Sequence, residues 1–157
     1  KKGGELVYLD QYPTDESYEF VEMTLNNPEA LPEISDFAAW NGEGDQSEYL
    51  FQGNKVLLLS SNLTKMSDAN LEAITQLFAS LEKAPVELIF MAAATQEEID
   101  AVIAKNGWKI KGLQADATVV KTIMRANPGI MLLKDGVVVG KYHHNNTPDA
   151  LEVLDLF

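Results

Sequence analysis

Arg125-Ala126-Asn127-Pro128-Gly129-Ile130-Met131-Leu132-Leu133-Lys134-Asp135-Gly136-Val137-Val138-Val139-Gly140 is the stretch that decides the fold. Pro128 opens a short apolar run, Lys134-Asp135-Gly136 makes a tight turn, and a second, β-branched run follows. The pattern is that of a β-hairpin entered through a proline. The 157 residues contain no cysteine. Disulfides, thiolate metal sites and thiol nucleophiles are therefore excluded.

Working back from the hairpin, Asp116 is expected to cap a short helix through Arg125, stopped by Pro128. Trp108 to Leu113 reads as a strand. Thr95-Gln96-Glu97-Glu98 is a capping box that starts a helix through Ala104, and Asn106-Gly107 ends it. Val86 to Met91 and Lys55 to Leu59 are continuous apolar runs, as expected of strands buried on both faces. Between them Leu71, Ile74, Leu77, Phe78 and Leu81 recur at helical spacing, with Ser67 or Asp68 as the N-cap. Further back, Ile34 to Trp40 reads as a strand, Asn41 to Asp45 as a turn cluster, and a short strand returns to Leu50-Phe51. Beyond the hairpin, Thr147-Pro148 reads as an N-cap and first helical residue of a last helix holding Leu151 and Leu154. The order from Leu31 is a β-hairpin, then β-α-β-α-β-α, then β-β-α. That order implies an α/β domain, its sheet mainly parallel, covered by helices on both faces and made mixed by the terminal hairpin.

At 46% hydrophobic residues the chain can bury a real core as one domain. Residues 1–30 lack clean periodicity, and Tyr8, Tyr12, Tyr18 and Phe20 alternate with acids. They read as an acidic extension or linker ahead of a domain spanning 31–157. The net charge is -12 and is uneven: residues 1–54 hold 12 acids and two lysines, whereas 55–157 hold 12 acids and ten bases. Nucleic acid is disfavoured as a partner, as is anionic lipid, because both are bound by positive patches. No apolar run approaches the roughly 20 residues needed to cross a bilayer. The first residue is Lys1 rather than Met, so we expect a mature or excised piece whose targeting or membrane segment, if any, lies upstream.

The layout resembles the thioredoxin superfamily, specifically its TlpA/ResA-type branch of membrane-tethered thiol-disulfide proteins. The counterparts of that branch's opening segment are Leu31-Pro32-Glu33-Ile34-Ser35-Asp36-Phe37 and Gly42-Glu43-Gly44-Asp45. Gly53-Asn54-Lys55 followed by Val56 to Leu59 is similar to its first central strand. Val86 to Ala104 supplies its inserted strand-helix pair. The resemblance implies a thioredoxin-like mixed sheet flanked by helices, with Pro128 as the family's cis-proline. It also places Thr64-Lys65-Met66-Ser67 where Cys-x-x-Cys stands in redox-active members. A hydroxyl cannot replace the thiolate in disulfide exchange, so that activity is not expected here. Asn127, the residue before the proline, would offer free backbone groups to an extended peptide.

Tyr12-Pro13-Thr14-Asp15, Val21-Glu22-Met23, Asn26-Asn27-Pro28, Asp116 to Lys121 and Lys141-Tyr142-His143-His144-Asn145 also resemble the soluble portion of DoxX-type membrane proteins from Bacteroidetes. That likeness implies a soluble domain tethered to a bacterial membrane, on its extracytoplasmic side, with a membrane domain upstream.

Other patterns point to no chemistry. His143 and His144 are adjacent on a strand and expected to face opposite ways, as surface residues rather than ligands of one metal. Asp116 reads as a cap rather than a general base. No spacing singles out a carboxylate pair, and no phosphate loop or nucleophile elbow is present. No cofactor and no metal are expected. The functional expectation is a non-catalytic interaction module. A partner protein or extended peptide would sit near Asn127-Pro128, in a degenerate site formed by Thr64, Lys65, Met66, Ser67, Asn127 and Pro128. A non-thiol enzyme in the same cleft and a purely structural domain of a membrane assembly are the alternatives.

Overall fold

A computed structural model describes residues 37–157. The expected extension over 1–30, and the start of the strand expected from Ile34, lie outside the described residues. The elements are β1 (Ala39–Asn41), β2 (Gly44–Asp45), α1 (Ser47–Leu50), β3 (Asn54–Ser60), α2 (Leu71–Leu81), β4 (Glu87–Ala92), α3 (Gln96–Lys105), β5 (Lys111–Ala115), α4 (Ala117–Ile123), β6 (Gly129–Lys134), β7 (Val137–His143) and α5 (Ala150–Asp155). The strands form one sheet in the order β2-β1-β5-β4-β3-β6-β7. β3, β4 and β5 are parallel, while β6, β7, β1 and β2 join antiparallel. The mixed α/β sheet read from the sequence is therefore the observed one.

Two cores follow from strand alternation, since successive side chains point to opposite faces. Val56 and Leu58, Phe90 and Ala92, Ile130 and Leu132 point to one face, where Ile74, Leu77 and Phe78 of α2, Ile99 of α3 and Val153 of α5 cover them. Leu57 and Leu59, Ile89 and Met91, Met131 and Leu133 point to the other, beneath Leu50 of α1 and Val120 of α4. Burial on both faces explains why these strands read as unbroken apolar runs.

Local chemistry sets most boundaries as expected. Thr95 and Glu98 form the capping box of α3, and Asp116 accepts from the Thr118 and Val119 N–H groups at the start of α4. Asp135 and Gly136 both take positive φ in the hairpin turn, the conformation a tight two-residue turn needs.

Five details differ. The segment before Leu50-Phe51 is the short helix α1, not a returning strand. Asp45 starts it by accepting from the Ser47 N–H and hydroxyl. α2 begins at Leu71 after Asn70, so neither Ser67 nor Asp68 is its side-chain cap; Ser67 Oγ accepts instead from the Ala69 N–H. β5 begins at Lys111 because Trp108 turns into the core, its indole donating to Thr75 and packing edge-on against Phe78 and Phe90. α4 ends at Ile123, well short of Pro128, where extended backbone at Met124 takes that side chain into the core. α5 is capped by Asp149, one residue beyond Pro148, while the Thr147 hydroxyl donates to the His144 carbonyl.

A polar cluster anchors α1 to the base of the sheet. Lys55 is almost fully buried at the start of β3 and pairs with Glu87 at 2.7 Å. Tyr49 of α1 donates its hydroxyl to Glu87, and the Lys55 and Lys111 ammonium groups stand 4.3 Å and 4.2 Å from its ring centroid. Burial and the neighbouring Glu87 raise the Tyr49 phenol above its ordinary pKa. Burial alone would push the Glu87 carboxyl up. The bonds from Lys55 and Tyr49 and the nearby lysine charges outweigh it, and the net shift is downward.

Candidate functional site

The site is built at the far end of β3, where the β3–β6 register sets Leu59 opposite Gly129. That register puts Ser60, the last residue of β3, beside the Asn127-Pro128 peptide, which is cis as the resemblance implied. Ser60 is fully buried, and its hydroxyl donates to Asn127 Oδ1 at 2.7 Å. Asn127 Nδ2 donates to the Asn62 carbonyl at 2.8 Å. The Asn127 carbonyl accepts from the Ser67 N–H at 2.9 Å. Three groups of one asparagine thus bind three positions of the segment leaving β3.

The segment is held in shape from within. Asn62 Oδ1 accepts from the Thr64 hydroxyl at 2.7 Å and from the Lys65 N–H at 3.1 Å. These bonds wind a 3-10 turn over Leu63–Lys65, a local side-chain-to-backbone pattern that asparagine favours. Thr64 and Lys65 are exposed and Pro128 is buried. Met66 packs on the core face of α2. Of the expected residues, Ser67 bonds to Asn127 next to Pro128 and Thr64 is joined to Asn127 through Asn62, whereas Lys65 is exposed and Met66 packs against the core.

Two aspects escaped the sequence reading. Ser60 and Asn62 hold the site together but were not singled out; the available signal was a hydroxyl closing a run of four apolar strand residues. The Asn127 carbonyl is also not free, because the Ser67 N–H occupies it. Among the described residues the Asn127 N–H has no hydrogen-bond partner, so this donor is what the backbone there still offers.

The arrangement limits the chemistry. The Ser60 and Thr64 hydroxyls donate to amide oxygens rather than to a base, and an unactivated hydroxyl is a weak nucleophile. The carboxylates whose pKa values shift among the described residues all shift down, serving as caps or ion-pair partners. None of them bonds to a residue of the Asn127-Pro128 loop or of the segment clamped to it.

No family model matches the chain, and no curated protein is similar to it in sequence. Solved structures are similar in fold. StoA from Bacillus subtilis superposes with a TM-score of 0.52 at 12% identity, over 80% of this chain and 98% of that one. A thiol-disulfide oxidoreductase from Bacteroides fragilis superposes with a TM-score of 0.56 at 14% identity, over 78% and 98%. A thiol:disulfide interchange protein from a Bacteroides species gives 0.50 at 13% identity, over 67% and 75%. At such identities the likeness shows the fold alone: the chain has a thioredoxin-like fold. It carries that fold without any cysteine, and the thiol chemistry named for two of these structures needs one.

Proposed function

We propose that this chain is a non-catalytic, thioredoxin-like binding module that takes an extended peptide or protein segment at the Asn127-Pro128 loop. The observation that carries the reading is the Asn127 clamp. At the end of β3, hydrogen bonds join the buried Ser60 and the half-buried Asn62 and Ser67 to Asn127, and none of them activates a nucleophile. The Asn127 N–H, without a partner among the described residues, is a donor for main-chain pairing of the kind peptide-binding sheets and loops use. Thr64 and Lys65 form the exposed rim and would set side-chain preference.

In the full-length protein we infer an upstream membrane domain of the DoxX type, with this domain on the extracytoplasmic side of a bacterial membrane. The support is the sequence likeness. Among the described residues no helix is long and apolar enough to cross a membrane. Cell fractionation tests the tether: a membrane-fraction band much larger than 17.3 kDa supports it, and a free band of about that size contradicts it.

Selection of extended peptides from a displayed library tests the binding surface. Peptides selected on the unaltered chain should lose binding to a variant carrying Asn127→Ala together with Thr64→Ala and Lys65→Ala. Undiminished binding to that variant counts against the surface.

A further inference from the structure

The two histidines lie beside this segment and do not face opposite ways. His143 ends β7 and stands opposite Gly129, next to Pro128. Strand alternation stops there, because His144 opens a 3-10 turn over His144–Asn146. The two rings consequently stack, with centroids 4.2 Å apart and planes 33° apart. Asn70 reaches them from the residue preceding α2. Its Nδ2 donates to Asn145 Oδ1 at 2.8 Å and faces His144 Nδ1 at 3.4 Å. The Asn145 N–H in turn donates to His143 Nδ1 at 3.1 Å. Each imidazole accepts at Nδ1, which only the neutral ring with its proton on Nε2 can do.

We propose that Asn70, His143, His144 and Asn145 form an acid-released clip that, at neutral pH, ties the start of α2 to the turn after β7 and holds the Ser60–Asn70 segment against the Asn127 loop. Protonation of His144 turns its Nδ1 from acceptor to donor. It sets an N–H against the Asn70 amide and places a cation in the stack with the His143 ring. Among the described residues neither ring pairs with a carboxylate. From α2 the facing group is the neutral Asn70, and Asp68 is exposed. Asp149 of the α5 cap accepts from the Glu152 N–H, and Glu152 lies beside the Tyr142 hydroxyl. Lys141 on β7 reaches away to the Ile123 carbonyl.

The sign follows from the same geometry. Burial, then the charge of His143, holds the His144 pKa below its ordinary value of 6.5. The folded chain therefore binds fewer protons than the unfolded one in that range. The clip's contribution is complete above the ordinary value and is lost as pH falls below it toward the lower folded value. Release frees the Asn70 end of the segment, while Asn127 still holds Ser60, Asn62 and Ser67. The Ser67–Asn127 bond is the one of these three nearest in sequence to the freed end, and it then opens more often, exposing the Asn127 carbonyl. This proposal concerns the chain alone and stands or falls independently of any peptide.

Residue-resolved amide hydrogen exchange on the full chain tests it, at about pH 7.5 and about pH 5, on either side of the ordinary imidazole range. Rates are corrected for intrinsic exchange and compared with core amides of β3 such as Leu58. In the unaltered chain, protection at Ser67 should fall several-fold in acid, while Leu58 holds. His144→Asn places a non-titrating Oδ1 where Nδ1 lay and should keep Ser67 protected at both pH values. Asn70→Ala should be unprotected at both. Equal protection of the unaltered chain at both pH values, or an unchanged pH response in His144→Asn, would overturn the proposal.

Discussion

Asn127 holds the segment leaving β3 through its side-chain amide and its carbonyl. Replacing it with Ala leaves the buried Ser60 hydroxyl and the Asn62 carbonyl without partners. A buried polar group left unpaired costs about 1–3 kcal/mol, so Asn127→Ala should lower the urea-unfolding stability by that order. A loss near zero would mean that the network rearranges. Lys55 gives the opposite lesson. Its ammonium is buried, but the Glu87 side chain is 52% exposed and can be rehydrated. Exchanging a buried ion-pair member for an apolar group of similar volume is often close to neutral, and Lys55→Met should fall within about 1 kcal/mol of the unaltered chain. Lys55→Ala, which also opens a cavity, should cost about 2 kcal/mol more. Residues of this kind were only partly legible in the sequence. Pro128 and Asn127 stood out because a proline before an apolar run is rare punctuation. Ser60 and Asn62 did not, because their role depends on a register between β3 and β6 that no local pattern encodes.

Elements were legible where one local interaction decides them. The Thr95–Glu98 capping box and the Asp116 cap are written within four residues and appear as read. α1 was misread because a four-residue helix has no periodicity to show, and α2's start because its first turn is set by the Asn70 and Ser67 contacts rather than by a cap. The caps predict a pH response. Backbone and hydroxyl bonds from Thr95 hold the Glu98 carboxyl below its ordinary pKa, and backbone N–H groups at the start of α4 do the same for Asp116. Folded carboxylates with lowered pKa values add stability that is complete above the ordinary value and lost as pH falls through the folded one. The urea midpoint should therefore fall in acid below the ordinary carboxylate range, and Asp116→Asn, which can still cap, should flatten that fall. An unchanged slope in the variant would show that the cap does not titrate with folding. At the head of β6, a Cβ on Gly129 would lie 2.3 Å from Met124 Cγ and 2.5 Å from its Sδ. Gly129→Ala should cost about 1–3 kcal/mol, as overpacking does, and should disturb the neighbouring Asn127 clamp; thermal melting and the Ser67 amide resonance report each effect.

At the scale of the whole molecule, the fold and the chemistry separate. Layer order, the buried parallel strands and the proline hairpin could be read from the chain, and the superposed structures bear out the thioredoxin-like fold. Fold does not carry function. Here cysteine is absent, the Ser60 and Thr64 hydroxyls donate to amide oxygens, and the reading proposed above rests on the Asn127 N–H, which has no partner among the described residues. The most direct test of that account is backbone NMR of the isotopically labelled chain titrated with peptides selected by display. The account predicts shifts centred on Arg125 to Gly129 and Asn62 to Ser67, with the Asn127 amide moving downfield as its N–H gains an acceptor. Shifts centred on the exposed edge of β7 or on α5, with Asn127 unmoved, would contradict it.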